Sequence, residues 1–390
     1  MMNTTSTTEE IAQSTPASPP FRFYDNRQKY LAFVNTCDEK PAIARRAALE
    51  LEHIVPTQPA IRIFDAGMGD ASVLARLMRS VHRKFPTVPV LAVAKEISLE
   101  DVRLGLEKMP DRFYEHPATV LVVTNLNYAD APQLMPREGG TALNWQEVPL
   151  RGSSTAEYAD QIEQLAPTLA FGWQTKVSPK TGNPVYVRPT VLVIYREDHR
   201  FLLESAIPKP GSTIPGYDLA LACQPWRASQ SAAFKAGRIL VPLARNLAAG
   251  GRLLVIQSRG DDPGLEIVQK IWPGENPFQI DRHELIAELH KQLGADADNY
   301  EFADLPDEQA NFRYRMHTLP SEIGDRIGTS TLFAAWNAAT YVAQIEDERL
   351  AAVPDRVYRS ATQDVLHRYG GLWFNDETFV VVRRRDPAAK

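Results

Sequence analysis

The residues of this chain best placed to do chemistry stand together in Asp65-Ala66-Gly67-Met68-Gly69-Asp70. An apolar, β-branched run, Ile61-Arg62-Ile63-Phe64, leads into them and reads as a buried strand. Behind them, Ser72 to Met78 takes up helical spacing. Two glycines one residue apart give the turn access to positive φ and let a ligand approach the backbone closely. The helix beyond offers free N–H groups at its start. Strand, glycine turn and helix N-terminus together form a nucleotide-type site. The same residues also suit a βα turn that binds nothing, so the flanking chemistry has to discriminate.

A dinucleotide fingerprint, G-x-G-x-x-G, would need a third glycine where Ser72 stands. Asp65 ends the strand; its carboxylate would repel a pyrophosphate and suits a ligand with a cationic group. The next apolar run, Val88 to Val93, reads as a second parallel strand, followed at once by Ala94-Lys95-Glu96. Glu96 lies roughly 27–29 residues after the glycines, where a carboxylate can accept hydrogen bonds from ribose hydroxyls. An exposed loop carboxylate is the plain alternative. Ser98 can cap a helix from Leu99 to Met109, with Glu100 and Asp101 in its first turn favoured by the helix dipole. Ala118 to Thr124 is a third buried strand and runs into Asn125.

D-x-G-x-G-D resembles the first motif of the class I S-adenosylmethionine (SAM) methyltransferases, and later segments follow that family's order. Gly216-Tyr217-Asp218-Leu219-Ala220-Leu221-Ala222-Cys223 is similar to its fourth strand, and Gln224-Pro225-Trp226 echoes the turn that some amino-methylating members carry there. Gly250-Gly251-Arg252-Leu253-Leu254-Val255-Ile256 is similar to the run into its fifth strand. The resemblance spans Ile61 to Gln257. It implies SAM as cofactor, held by Asp65, Gly67, Gly69, Asp70, Glu96, Asn125 (toward the adenine) and Cys223. It implies substrate contacts from Gln224 and Trp226 and, ahead of the first motif, from Tyr24, Asn26 and Tyr30. The activity implied is methyl transfer to a small-molecule nitrogen or oxygen nucleophile; a protein or RNA substrate, or a methyltransferase-like protein that does not methylate, are the alternatives. No catalytic residue is assigned, because an in-line displacement at a sulfonium needs little beyond alignment, and a base is optional.

The fold implied is α/β: a three-layer α/β/α sandwich on a mostly parallel seven-stranded sheet with an antiparallel last strand. Along the chain, 1–20 reads as a disordered tail and 21–60 as an N-terminal helical cap, with Ile43, Ala47, Leu51 and Ile54 on one stripe. The SAM-binding domain takes 61–128 and 217–320. Between its halves, 129–216 loses the helix–strand rhythm and reads as an insertion. It holds a β-hairpin of 190–195 with 200–204, and Trp145, Trp173, Tyr186 and Tyr195 are candidates for a substrate wall. Asn311 to Leu319, with His317 inside it, reads as the sixth strand. The remainder, 321–390, reads as C-terminal helices and a final hairpin turning at Asn375-Asp376-Glu377.

Composition bounds the partners. The chain has 390 residues and a formal net charge of −5, with Arg383-Arg384-Arg385 its densest basic cluster. That disfavours nucleic acid. Its two cysteines, Cys37 and Cys223, lack metal-ligand spacing, so no metal site is expected and the pair fits a reducing, cytoplasmic setting. No apolar run reaches the roughly 18 residues of a membrane span. The expected partner is a small-molecule substrate, with a homodimer compatible with a flap-like insertion.

Overall fold

The computed structural model describes residues 27–136, 142–179, 184–303, 305–318, 320–324 and 327–385. Its centre is one mixed sheet. The strands in chain order are β1 (Ile61–Asp65), β2 (Val90–Lys95), β3 (Thr119–Thr124), β4 (Asn144–Leu150), β5 (Thr175–Val177), β6 (Pro184–Tyr186), β7 (Thr190–Arg196), β8 (Tyr217–Cys223), β9 (Leu247–Ser258), β10 (Tyr300–Ala303), β11 (Asn311–Arg315) and β12 (Trp373–Arg383). All but β5 and β6 belong to the sheet, in the order β10-β12-β9-β8-β1-β2-β3-β7-β4, with β11 also on β12. The strands β3, β2, β1, β8 and β9 are parallel, and β12 is antiparallel to β9. From β1 the chain first builds outward through β2 and β3, then returns to build the other way through β8 and β9. The crevice beside β1 is therefore a topological switch point, where open α/β sheets bind ligands.

Strand alternation divides the core into two layers of side chains. Phe64, Val93, Val122, Ala220 and Val255 face one layer, with Ile239, Leu243 and Leu289 packed on them. Ile63, Leu221 and Ile256 face the other, with Ile43 and Ala47 of α2 (Glu39–Glu50) and Val73 and Leu77 of α3 (Ser72–Lys84). The same second layer continues under β2 and β3, where Ala94 and Val123 meet Val102 and Leu106 of α4 (Leu99–Leu106). A third apolar cluster joins Phe33 of α1 (Arg27–Thr36) to Leu332, Trp336 and Ala339 of the helix Thr329–Val342.

The sheet has ten strands among the described residues, rather than seven, for two reasons. Segment 129–216, read from the sequence as an insertion, contributes β7, antiparallel to β3, and β4, parallel to β7, so β3 is not an edge. The sixth position is shared: β10 and β11 pair with opposite ends of β12. The expected strand at 311–319 is thus half of that position, and exposed His317 follows it, its N–H donating to Thr36 O.

Two local expectations give way. Residues 200–204 do not return as a hairpin arm: Arg200–Leu203 is a helical turn. A strand there would bury Phe201 and Leu203 together, whereas Leu203 is buried and Phe201 stands almost fully in solvent. The insertion's hairpin is instead β5 with β6. The C-terminal hairpin is absent too. β12 runs unbroken through Asn375, Asp376 and Glu377, each paired with β11 and the latter two also with β9. The helix expected to reach Met109 ends at Leu106, and Pro110–Glu115 forms a separate helix. Among the described residues no helix is long and apolar enough to cross a membrane, and no group of three or more His, Cys, Asp or Glu side chains is arranged to hold a metal. The 1–20 tail, Tyr24 and Asn26 lie outside the described residues.

Candidate functional site

A cavity of about 190 Å³ opens at the C-terminal ends of β1, β2 and β8. Parallel register brings those ends level: Asp65 pairs with Ala94 on one side and Leu221 on the other. The glycine turn forms its floor. Gly69 has φ of +52°, and Ala71 repeats the left-handed conformation at +57° before α3 begins. Gly67 faces Pro225, with a Cβ placed there 3.7 Å from the proline Cβ.

One wall is acidic because Asp65 and Glu96 fall on the same face of neighbouring strands, the face of α2, α3 and α4. Asp65 is buried and accepts one backbone bond, from Gly67 N at 3.2 Å to Oδ1. Burial pushes its carboxyl up to about 6; Glu96 adds to the effect, and the Gly67 amide and Lys40 oppose it. Glu96 accepts from Gly69 N at 2.7 Å through Oε2 and from Ile97 N and Ser98 N at 2.6 and 2.8 Å through Oε1. Burial, then Asp101, raises its carboxyl, against the Ser98 and Gly69 amides and Lys95. A carboxylate has about four acceptor positions, so these bonds leave one, on Oε2. Asp70 serves the turn itself: its carboxylate takes Ser72 N, Ser72 Oγ and Lys108 Nζ, and Tyr30 Oη lies 3.2 Å from Oδ1.

The outer rim comes from elements distant in sequence. Tyr30 of α1 and Tyr341 of the helix Thr329–Val342 meet with ring centroids 5.9 Å apart, and both line the opening. Lys40 of α2 also lines it, paired with Glu39 at 2.7 Å and 5.5 Å from the Tyr30 ring. Burial alone would depress the Lys40 ammonium, but Glu39 outweighs it and holds the group protonated above its usual range.

The β8 end supplies Cys223, Gln224 and Pro225. Burial, then Asp65, raises the Cys223 thiol well above its ordinary range, which keeps it neutral. Gln224 has φ of +53° and donates from Nε2 to Asp376 Oδ1 at 3.3 Å. Of the residues read from the sequence, Asp65, Gly67, Gly69, Asp70, Glu96, Cys223, Gln224 and Tyr30 line this one cavity.

Asn125 and Trp226 are placed elsewhere. The Asn125 amide donates to Gly172 O and Arg188 O and accepts from Thr190 N, so it locks the insertion to β3 and does not line the cavity. Trp226 is buried with Lys235 Nζ 5.7 Å from its ring centroid, and it does not line the cavity. The four insertion aromatics do not form a wall. Tyr195 and Trp145 pack on one layer of the core, Trp173 and Tyr186 on the other. Trp173 Nε1 donates to Glu96 O at 2.9 Å, and Tyr186 Oη bonds Ile97 O.

The residues that sequence reasoning missed are Lys40, Lys95, Tyr128 and Tyr341. For Lys95 a signal existed. Carrying the alternation of Val93 two residues on, past the expected strand end, places its side chain opposite Glu96.

No known family profile matches the sequence, and no curated protein does. Similar solved structures include a Galdieria sulphuraria protein assigned as a sarcosine dimethylglycine methyltransferase, at 9% identity over 88% of this chain and 85% of that one, TM-score 0.34. Haemonchus contortus phosphoethanolamine N-methyltransferase 2 with SAM is similar at 10% identity over 87% of this chain, TM-score 0.29, and this chain spans about half (53%) of its length. Geranyl diphosphate methyltransferase with geranyl diphosphate and sinefungin is similar at 12% identity over 87% of this chain and 77% of that one, TM-score 0.32. At this similarity the strand order itself carries the fold. With helices on both faces, a parallel body and an antiparallel β12, the chain has the mostly parallel α/β/α architecture expected from its sequence.

Proposed function

We propose that this chain is a SAM-dependent methyltransferase that moves a methyl group to a nitrogen or oxygen nucleophile on a small molecule. The observation that carries the reading is the acidic wall: Asp65 and Glu96 face one cavity, with the Gly69 amide bonded to Glu96 between them. SAM supplies a methyl group on a sulfonium already activated by its charge. The donor set fits it. Asp65 has Oδ2 available for an ammonium, and Glu96 keeps an acceptor position on Oε2 for a ribose hydroxyl. The glycine turn lets a ligand lie against the backbone.

What remains for the chain is alignment and exclusion of water. Tyr30 and Tyr341 cover the opening, Lys40 stands near it as a protonated donor, and Gln224 and Pro225 bound the end at β8. Cys223, held as a thiol, is not a competing nucleophile. The reading takes a small molecule as acceptor and neither nucleic acid nor membrane as partner.

Calorimetry with SAM and S-adenosylhomocysteine tests it. Micromolar binding by the wild type, lost in Asp65→Ala and Glu96→Ala, supports the pocket and justifies a methyl-transfer screen of amines and phenols. Absence of binding to the folded wild type defeats the proposal.

A further inference from the structure

The cavity has a second wall of opposite character. Strand alternation that turns Asp65, Glu96 and Cys223 toward α2 and α3 turns Lys95 the other way, with Leu91 and Val93. Lys95 ends β2, is 4% exposed and lines the cavity. Its Nζ lies 4.4 Å from the centroid of the Tyr128 ring. Tyr128 Oη in turn donates to Pro225 O at 2.9 Å, so the ring is fixed between the β3 and β8 ends.

Among the described residues, Lys95 Nζ makes no hydrogen bond and no ion pair beside its contact with the Tyr128 ring. The adjacent carboxylate, Glu96, is on the opposite face and is held by the Gly69, Ile97 and Ser98 amides. A buried ammonium without an anion is unfavourable, and a ring face compensates only in part. Burial pushes this one down to about 8, Glu96 opposing. An anion placed against Nζ would restore the pairing and favour the charged form.

We propose that Lys95 is the recognition point for an anionic group, a carboxylate or a phosphate, on the methyl-accepting substrate. The walls then divide the two ligands by charge. The acidic wall takes the cationic and hydroxyl-bearing cofactor; the Lys95–Tyr128 wall takes an acidic acceptor beside Gln224 and Pro225. The assignment of this ligand as acceptor rests on the methyl-transfer reading; the anion site itself rests on Lys95 alone.

The test separates the two. S-adenosylhomocysteine is first titrated into wild type and Lys95→Met, which reads the cofactor proposal independently. Then 4-hydroxybenzoate, 4-hydroxybenzamide and 4-hydroxyphenyl phosphate are titrated into each protein, with and without S-adenosylhomocysteine. The wild type is expected to bind at least one acid about tenfold or more tighter than the neutral amide. Lys95→Met is expected to lose that preference while keeping its affinity for S-adenosylhomocysteine and a melting temperature no lower than that of the wild type. The stronger of the benzoate and the phosphate names the anion. No acid binding by the wild type at millimolar concentration, equal binding of acid and amide, or a preference that survives in Lys95→Met overturns the proposal. Acid selectivity that depends on Lys95 without any S-adenosylhomocysteine binding would keep the anion site and remove the methyltransferase reading.

Discussion

The backbone N–H of Gly69 donates to Glu96 Oε2 at 2.7 Å, so the turn after β1 and the acid after β2 form one unit. Oε1 of the same carboxylate accepts from Ile97 and Ser98. Both oxygens therefore face backbone donors. Glu96→Gln has one carbonyl oxygen to offer, and in either orientation its NH2 points at an N–H. We expect a loss of about 1–3 kcal/mol, the cost of leaving a buried donor unpaired. Urea unfolding reads it as a lower midpoint at unchanged slope. A variant as stable as the wild type would show that the carboxylate is not held by these amides.

Asp65 stands on the same wall, and its amide variant should behave in the opposite sense. Its folded-state pKa of about 6 lies above the ordinary 3.8, chiefly because of burial. Between those values the folded state binds more protons than the unfolded one, so stability falls as pH rises from about 4 to about 6 and the cost is complete above that. Asp65→Asn keeps an oxygen for Gly67 N and removes the buried charge. We expect it to gain stability near neutral pH, on the order of 2–3 kcal/mol at most, with the gain vanishing below about pH 4. Thermal unfolding at both pH values checks this. Binding of S-adenosylhomocysteine is expected to be lost in the same variant.

Gly69 is constrained twice. Its φ is +52°, and a Cβ there would lie 2.9 Å from Tyr30 Oη. Gly69→Ala is expected to cost about 1–2 kcal/mol from the left-handed backbone, with the tyrosine contact added. In a Tyr30→Phe background the contact is relieved and the backbone cost stays. The double variant should thus recover part of the loss and no more, a coupling that a double-mutant cycle measures. Full recovery would assign the whole effect to the side chain.

How far the sequence could be read follows from the reach of each residue's partners. Asp65 and Gly67 bond to each other within one strand and turn, and Ser98 caps its own helix by accepting from Asp101 N, so local pattern was enough to place them. Asn125 misled because its amide partners are 47, 63 and 65 positions away, in an insertion whose path over β3 no local pattern reveals. The edge pairing of β7 with β3 is of the same kind. Tyr341 was hidden for a related reason. It reaches the cavity through the packing of a C-terminal helix on α1, a contact between the two ends of the chain. Lys95 was hidden by a boundary, two residues of β2 that decide which wall it faces.

The insertion's contribution to the site is testable at Trp173. Its Nε1 donates at 2.9 Å to the carbonyl oxygen of Glu96, 77 positions away, and Tyr186 Oη bonds the next carbonyl, that of Ile97. The two bonds brace the loop that presents Glu96. Trp173→Phe keeps much of the apolar contact and removes the donor. We expect a loss of about 1 kcal/mol in urea unfolding, and an affinity for S-adenosylhomocysteine several-fold weaker, because Glu96 gains freedom to turn from the cavity. The two readouts answer different questions. A loss of stability with unchanged affinity would make the insertion a brace for the sheet alone. A loss of affinity with little change in stability would make Trp173 a positioning residue for Glu96, acting at the C-terminal end of β2 from a segment that supplies no cavity-lining side chain among the described residues.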